Sequence, residues 1–344
     1  MKVYAYSLVA GAIALTATAL AKPSFYRRAV DQASVIGCFG AAIVRGTMTP
    51  DCQTAVKTDV GIIQTVSFLD LNINMVTPDP NVMVVSSTGV FVDLVASPYG
   101  FPGPLMDSSQ DVTIDDGGVD IAQFITPVSK TTVNANRVST VIGDSVLTIL
   151  PGKSAQFVAF MVKLLTQVSV EFRLKGYVNS TISYTDFLGT SRTLDINYIG
   201  YSSPIALRGF NSFPTVTFVS QDDLVKDEMG QYILTVTVNI VNPSQLVLNM
   251  GDISFNAVNK EGKAMGVVTF KGLKLVMGDN IVVATVVLPQ GAYDVLTVNG
   301  ATITFAGFTG SSTNPILAES MKDLKVDVEV PKLESISNPA PPLN

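Results

Sequence analysis

The sequence predicts a mostly β fold of two tandem antiparallel β-sandwich modules, immunoglobulin- or fibronectin-like, the first with one amphipathic helix. From about residue 61 onward, apolar and polar residues alternate with period two, as in residues 170–174 and 233–241. Such alternation places the apolar side chains on one face of a sheet. Turn-forming residues separate the runs, for example at residues 115–118 and 259–262. Many short strands with this punctuation are typical of antiparallel sandwiches.

Composition limits the classes of function. The chain has 344 residues, of which 47% are hydrophobic and only 15% are charged, so it can bury a core and is unlike a disordered chain. The net charge is −6, and an acidic surface repels phosphate, so no nucleic-acid partner is expected. Histidine is absent, which excludes Ser-His and Cys-His catalysis and histidine metal sites.

Residues 1–21 are predicted to be a secretory signal peptide. Lys2 precedes an apolar run that ends in Ala19-Leu20-Ala21, the small-x-small pattern of cleavage, so the cut is expected after Ala21. An uncleaved membrane anchor is the alternative, because the run is just long enough to span a bilayer. Arg27-Arg28 is either a second, dibasic processing site or an ordinary surface pair. We therefore expect a secreted or cell-wall protein, or, if anchored, one facing the lumen of the vacuole or endoplasmic reticulum.

Residues 22–60 form a predicted pro-segment or N-terminal extension with the only two cysteines of the chain. In an oxidising compartment, Cys38 and Cys52 are best interpreted as one disulfide, with two buried free thiols as the alternative. Two cysteines without histidine are too few for a zinc site. Asn179-Ser180-Thr181 is an N-glycosylation acceptor that the signal peptide would make usable.

The segment from Ser154 to Leu165 breaks the strand pattern. Its large apolar residues fall on one face of an α-helix, and Ser154 follows a Pro-Gly pair as a predicted N-cap. Three roles are possible for this face: it closes an apolar cavity, it contacts a membrane, or it packs the helix on a sheet. The residues of this face are Phe157, Phe160, Met161, Leu164 and Leu165.

The β region is predicted to divide into modules 61–203 and 204–310, followed by a tail, 311–344, with a disordered end. The boundary is set near residues 202–204, and the Ser/Pro/Asn-rich end of the tail argues for disorder. A strand, a proline and an acidic glycine turn recur with the same spacing, from Pro98 to Gly117 and from Pro243 to Gly262. This layout favours two similar modules in tandem.

The second module carries the residues of a known family. One strand ends in Asn242-Pro243, the next contains Gly251, and a later turn contains Gly278 and Asn280. This pattern resembles the group-two late embryogenesis abundant domain, also called the water-stress-and-hypersensitive-response domain. The whole chain is similar to tandem-module fungal relatives over about residues 61–308, including a Pro-x-Gly segment at 98–101 and the join at 208–210.

The resemblance implies a structural motif rather than chemistry. Proline ends a strand, Asn242 can hold the turn through its side chain, and the glycines supply unusual backbone angles. The resemblance also implies attachment to a membrane by an N-terminal helix, from which this chain departs if Ala21 is cut.

No catalytic residue, metal or cofactor is predicted. The adjacent pairs Asp115-Asp116 and Asp222-Asp223 are on turns, where neighbouring carboxylates point apart, and no nucleophile–base pair is visible. The acidic turns at 115–118 and 278–280 lack the loop pattern of a calcium site.

We therefore expect a non-enzymatic structural, stress-related or interaction protein with an unidentified protein, membrane or wall partner. The alternative is binding or transfer of a lipid or other apolar ligand, which requires an apolar cavity under the 154–165 helix.

Overall fold

The computed structural model describes residues 37–57 except 39 and 43, and residues 63–94, 106–185 and 189–333. The predicted signal peptide with Ala21, the Arg27-Arg28 pair, the Pro98–Phe101 segment and the chain end beyond residue 333 lie outside the described residues. The described part is mostly β, as the alternation predicts. The sixteen strands are β1 (Ile63–Phe68), β2 (Leu71–Asn74), β3 (Val82–Leu94), β4 (Met106–Asp116), β5 (Val119–Ile125), β6 (Ser129–Asn134), β7 (Arg137–Ile149), β8 (Ser169–Thr185), β9 (Ser191–Arg208), β10 (Val216–Lys226), β11 (Tyr232–Asn242), β12 (Leu246–Val258), β13 (Ala264–Leu275), β14 (Gly278–Leu288), β15 (Ala301–Ala306) and β16 (Lys325–Val330).

Four helices have both of their ends within the described residues. They are α1 (Pro50–Val56), α2 (Ser154–Thr166), α3 (Gln290–Asn299) and α4 (Pro315–Met321). None of the described helices is long and apolar enough to cross a membrane.

Strands β10 to β16 form a ring of hydrogen-bonded neighbours, which we call the closed sheet. Around the ring, the order is β12-β13-β14-β11-β10-β16-β15 and back to β12. All of these pairs are antiparallel except β10 with β16. The ring encloses an aromatic core, in which the centroid of the Phe270 ring lies 6.2 Å from that of Phe255 and 6.4 Å from that of Phe305.

The other eight strands, β1 and β3 to β9, form what we call the open sheet. Their order is β1-β3-β7-β5-β4-β8-β9, and β6 bridges β4 and β7. The sheet curls until β1 lies beside β9, yet the described residues contain no hydrogen-bonded pairing between these two strands. Strand β2 joins the two sheets, because it pairs in parallel with β12 and antiparallel with β3.

The prediction of two tandem sandwiches is not confirmed. The predicted boundary at 202–204 lies inside β9, and β16, from the predicted tail, completes the closed sheet. Gly117 and Gly262 both occupy hairpin turns, but the strands around them pair differently in the two halves. Alternation shows which face of a strand is buried and not which strands pair, so it cannot distinguish a sandwich from a sheet that closes on itself.

Helix α2 is amphipathic, as predicted, and all five of its predicted apolar side chains are buried. It contacts β5, β8 and α4, and the centroid of the Phe160 ring lies 5.3 Å from that of Phe172 on β8. The predicted cap is corrected by one residue: Lys153 is the N-cap, and Ser154 begins the helix without a side-chain capping bond. The Ser154 hydroxyl donates instead to the Asn81 Oδ1 atom at 3.3 Å.

Candidate functional site

The open sheet encloses a cavity of about 160 Å³. Every one of its eight strands contributes side chains to the wall, and most of these side chains are Val, Ile, Leu, Phe or Met. The wall contains no charged residue. In the closed sheet, by comparison, a void lined by side chains that include Leu234, Leu288 and Phe305 measures about 40 Å³. The two sheets therefore differ in how completely their side chains fill the interior.

Two separate elements cover the ends of the open sheet. Helix α2 packs beside the start of β8, through Phe160 and Phe172. At the far end of β8, the segment of residues 40–57 packs on Ile182 and on neighbouring strands in a second apolar cluster. Met106 and Val133 belong both to this cluster and to the cavity wall. The segment therefore acts as a cap, and we call the described residues of 37–57 the cap segment.

Local chemistry fixes the cap segment. The Thr49 hydroxyl accepts a hydrogen bond from the Cys52 backbone N–H at 3.4 Å, and Pro50 occupies the first turn of α1, both of which favour a helix start. The Cys38–Cys52 disulfide is present, with a Cα–Cα distance of 5.4 Å, and the alternative of two free thiols is excluded. A disulfide is typical of an oxidising compartment, secreted or lumenal.

Hydroxyl side chains on one side of the cavity satisfy one another. The Ser108 and Thr131 hydroxyl oxygens lie 2.6 Å apart, and the Thr131 hydroxyl donates to that of Thr140 at 2.9 Å. The Thr140 hydroxyl is also 3.1 Å from that of Ser129. This chain of hydrogen bonds crosses β4, β6 and β7, and it leaves these buried oxygens paired.

The opposite side of the cavity has two hydroxyls without a partner. The Ser180 and Tyr201 side chains line the cavity from β8 and β9, and each hydroxyl oxygen is buried and makes no hydrogen bond within the described structure. Burial raises the pKa of Tyr201, and the charge of Asp111 raises it further. The Tyr201 hydroxyl is therefore protonated at physiological pH and available as a donor.

The geometry of β8 and β9 explains why this side is open. Tyr201 is paired with Gly176, and Gly176 is paired on its other side with Val112. Directly opposed residues point to the same face of a sheet, so the glycine leaves this row without a central side chain. A Cβ atom at Gly176 would lie 1.8 Å from the Asp111 carbonyl oxygen, so no larger residue fits there without a backbone shift.

A bulge lies beside this row. The register of β8 and β9 shifts between Val178 and Ser180, and Tyr198 has a φ of 60°. The Asn179 side chain accepts a hydrogen bond from the Tyr198 backbone N–H at 2.9 Å. Asn179, the predicted glycosylation residue, is half-buried in the middle of β8 and holds the extra residue of β9 at this bulge, while Ser180 faces the cavity by the regular alternation of β8.

The five apolar residues of α2 are buried in the core and are not part of this cavity wall. Helix α2 covers one end of the open sheet, whereas the cavity lies between the strands. The predicted ligand helix therefore does not line the observed cavity. The cavity residues were missed because the prediction sought a cavity beneath the helix. The available signal was the set of Ser and Thr residues at inward positions of apolar strands, such as Ser108, Thr140 and Ser180.

The residues of the predicted family motif lie in the closed sheet, at strand ends and, for Gly251, at a bulge within β12. The buried Asn242 side chain donates to the Leu246 carbonyl at 2.9 Å and accepts from the Ser244 N–H at 2.8 Å. Asn280 donates to the carbonyls of Ile240, Val276 and Gly278. Gly251 and Gly278 have φ values of 70° and 91°. Pro243 follows the last residue of β11, and the motif shapes turns and contributes no reactive group.

Most of the carboxylates considered for catalysis or calcium are paired with other groups. The Lys175 amine lies 2.9 Å from an Asp115 oxygen and 2.6 Å from an Asp120 oxygen. Lys163 lies 2.7 Å from Asp116. The Asp222 carboxylate accepts a hydrogen bond from Ser220 at 3.3 Å. Within the described residues, no group of three or more acidic, Cys or His side chains is placed to hold a metal ion.

Comparisons with known proteins give a family model of unknown function and distant solved structures. A family model described as a protein of unknown function, DUF3712, matches residues 122–257, a range that begins in β5 and ends in β12. No curated protein matches the chain.

Among solved structures, the exo-chitosanase CsxA of Amycolatopsis orientalis is 11% identical with a TM-score of 0.20, over 70% of this chain and 25% of that chain. The partial N-terminal region of an enterococcal surface protein is 10% identical with a TM-score of 0.15, over 78% of this chain and 94% of that one. This chain thus spans about a quarter of the chitosanase, and at these scores neither likeness bears on its activity.

Proposed function

We propose that the open sheet binds a small apolar molecule in its cavity, and that the protein carries or senses this molecule without transforming it. The observation that supports this most directly is the cavity of about 160 Å³ with uncharged, mostly apolar walls. Apolar cavities of about 150 Å³ bind benzene-sized molecules. Pockets for drug-sized ligands begin at roughly 300 Å³, so the occupant is small or is one end of a longer chain.

The remaining parts of the proposal concern context. We place the protein on the secretory route, at a cell surface, wall or lumenal membrane face, because its disulfide is typical of such compartments. The relationship to late embryogenesis abundant domains, the fungal tandem-module origin and the use of Asn179 as a glycan acceptor belong to the same proposal.

The test is ligand capture by the full chain made in a eukaryotic secretory host. We expect native mass spectrometry and organic extraction to show a bound apolar molecule, and we expect calorimetry to detect benzene binding after extraction. Val112→Phe places a ring in the cavity from a buried wall position, and should weaken benzene binding at least tenfold. Val178→Phe repeats this from another strand.

The matched control is Val225→Phe, which adds the same ring at a position that is 59% exposed on the closed sheet. Circular dichroism should show that all three variants are folded. If the folded Val112→Phe and Val178→Phe variants bind benzene as the original chain does, the cavity is not the site. If the original chain neither yields a molecule nor binds benzene, the structural or interaction role takes precedence.

A further inference from the structure

We infer that the ligand of this cavity is an uncharged molecule with an oxygen atom, such as an alcohol, a phenol or a carbonyl compound, and that the Tyr201 hydroxyl donates a hydrogen bond to that oxygen. This inference rests on the proposed function of the cavity and specifies its ligand class. It is carried by the hydroxyls of Tyr201 and Ser180, which line the cavity and have no partner within the described structure.

The first step is the hydrogen-bond balance of the wall. Ser108, Thr131 and Thr140 bond to one another across β4, β6 and β7, so a ligand gains little by approaching them. Tyr201 and Ser180 are buried and unpaired. Burying a hydroxyl without a partner is unfavourable, and buried polar groups in native proteins are nearly always bonded. A ligand oxygen would supply the missing partner for Tyr201.

The second step is the charge of the ligand. None of the residues that line the cavity is charged, so a carboxylate there would have no cation to pair with. Asp111 is close enough for its charge to raise the pKa of Tyr201, and the same negative charge disfavours an anion. An unpaired ion in an apolar cavity is strongly unfavourable. Fatty-acid and other carboxylate ligands are therefore rejected, and uncharged molecules are accepted.

The third step is the position of the two hydroxyls. Tyr201 is opposite Gly176 on β8, and Ser180 lies four positions further along the same strand. At ~3.3 Å per residue the Ser180 backbone lies roughly 13 Å along β8 from Gly176, the residue opposite Tyr201. A benzene-sized ligand that contacts Tyr201 therefore leaves Ser180 as a second polar point, which a longer ligand could reach.

The experiment compares three probes of similar size: benzene, phenol and benzoate. Calorimetry at neutral pH measures the dissociation constant of each for the full chain. We expect phenol to bind about 3- to 10-fold more tightly than benzene, the range of one net hydrogen bond. Benzoate should bind at least 100-fold more weakly than phenol, because its charge is unpaired.

The variants assign the effect to Tyr201. Tyr201→Phe removes the hydroxyl and should reduce the phenol-to-benzene preference to about one or below, while benzene binding is kept. Ser180→Ala should change that ratio less than twofold. The controls are Tyr232→Phe and Ser320→Ala, which remove buried hydroxyls in the closed sheet and in α4, and which should leave both dissociation constants unchanged.

The outcomes separate the ligand class from the function. If benzene binds and phenol shows no preference, or if Tyr201→Phe keeps the preference, the inference is overturned although the cavity still binds ligands. Benzoate binding as tight as that of phenol overturns it too. If none of the probes binds, the proposed function fails with it. Should Tyr201→Phe not fold, Tyr201→Met is the second variant, since it also removes the hydroxyl and keeps the apolar bulk.

Discussion

The open and closed sheets are built from strands of the same alternating pattern, and they enclose opposite kinds of interior. Three phenylalanines meet inside the closed sheet, Phe255, Phe270 and Phe305, and a void in its interior measures about 40 Å³. In the open sheet, serine and threonine point inward beside Val and Ile, and about 160 Å³ stays unfilled. Closing the ring of hydrogen bonds and filling it with aromatic rings produces a packed core, whereas the open sheet retains space.

The two sheets also differ in what completes them. The closed sheet pairs its own seven strands in a ring, with the start of β12 paired to β2, and buried side chains such as Asn242 and Asn280 bond its turns. The open sheet depends on added elements, α2 at one end and the cap segment at the other. This division suggests that the closed sheet provides stability and the open sheet provides the binding site.

The largest expected effect compares one phenylalanine from each interior. Phe270→Ala removes a ring that is 1% exposed and contacts two other rings, and should lower the free energy of unfolding by about 3–5 kcal/mol. Phe124→Ala removes a ring that already borders the cavity, so it loses fewer contacts and should cost less. Urea unfolding measures both. Equal losses would show that the open sheet is packed as tightly as the closed sheet.

The next effect concerns the cap segment. Replacing both Cys38 and Cys52 by serine opens a loop with a sequence separation of 14, and should lower the free energy of unfolding by about 3 kcal/mol in the chain-entropy model. In the described chain, the apolar cluster of the cap segment lies on the open sheet. In the double variant, hydrogen exchange should therefore accelerate in β6 and β9, at denaturant concentrations that leave β11 and β14 protected. Acceleration in both sheets together would contradict the division between them.

The sequence predicted the strands, the helix and the disulfide because each depends on local pattern. The helix of Phe157 to Leu165 follows from spacing alone, and the disulfide follows from two cysteines in a secretory context. The ring of the closed sheet depends on β16 reaching β10 and β15, and no local signal shows such a pairing. The cavity wall depends on Tyr201 lying opposite Gly176 and on Ser180 facing the same interior further along β8, which requires the register of β8 with β9 and with β4.

The smallest effect is a pH dependence that differs between the sheets. Burial raises the pKa of Asp115, but hydrogen bonds from Lys175 and from the Gly118 backbone outweigh it, so this pKa lies below its usual value. In the closed sheet, hydrogen bonds from Lys271 and from the Gly272 backbone lower the pKa of Asp252, whose side chain is 50% exposed. Both carboxylates therefore stabilise the folded chain above the unfolded pKa of about 3.9, and this stability is lost as the pH falls through the lower folded values.

Solvent screens the exposed pair more than the buried one. The free energy of unfolding is measured by urea unfolding at several pH values between 5 and 2. Asp115→Asn should therefore reduce its decrease over this range more than Asp252→Asn does. If Asp115→Asn lowers the free energy of unfolding equally at pH 2 and pH 7, its contribution comes from packing rather than from ionisation. Asp252→Asn could instead have the larger effect on the pH dependence of the unfolding free energy. The ion pairs of Lys175 would then anchor the hairpin of β4 and β5 no more firmly than a surface pair would. In that case the open sheet is held by its apolar contacts and its cap alone.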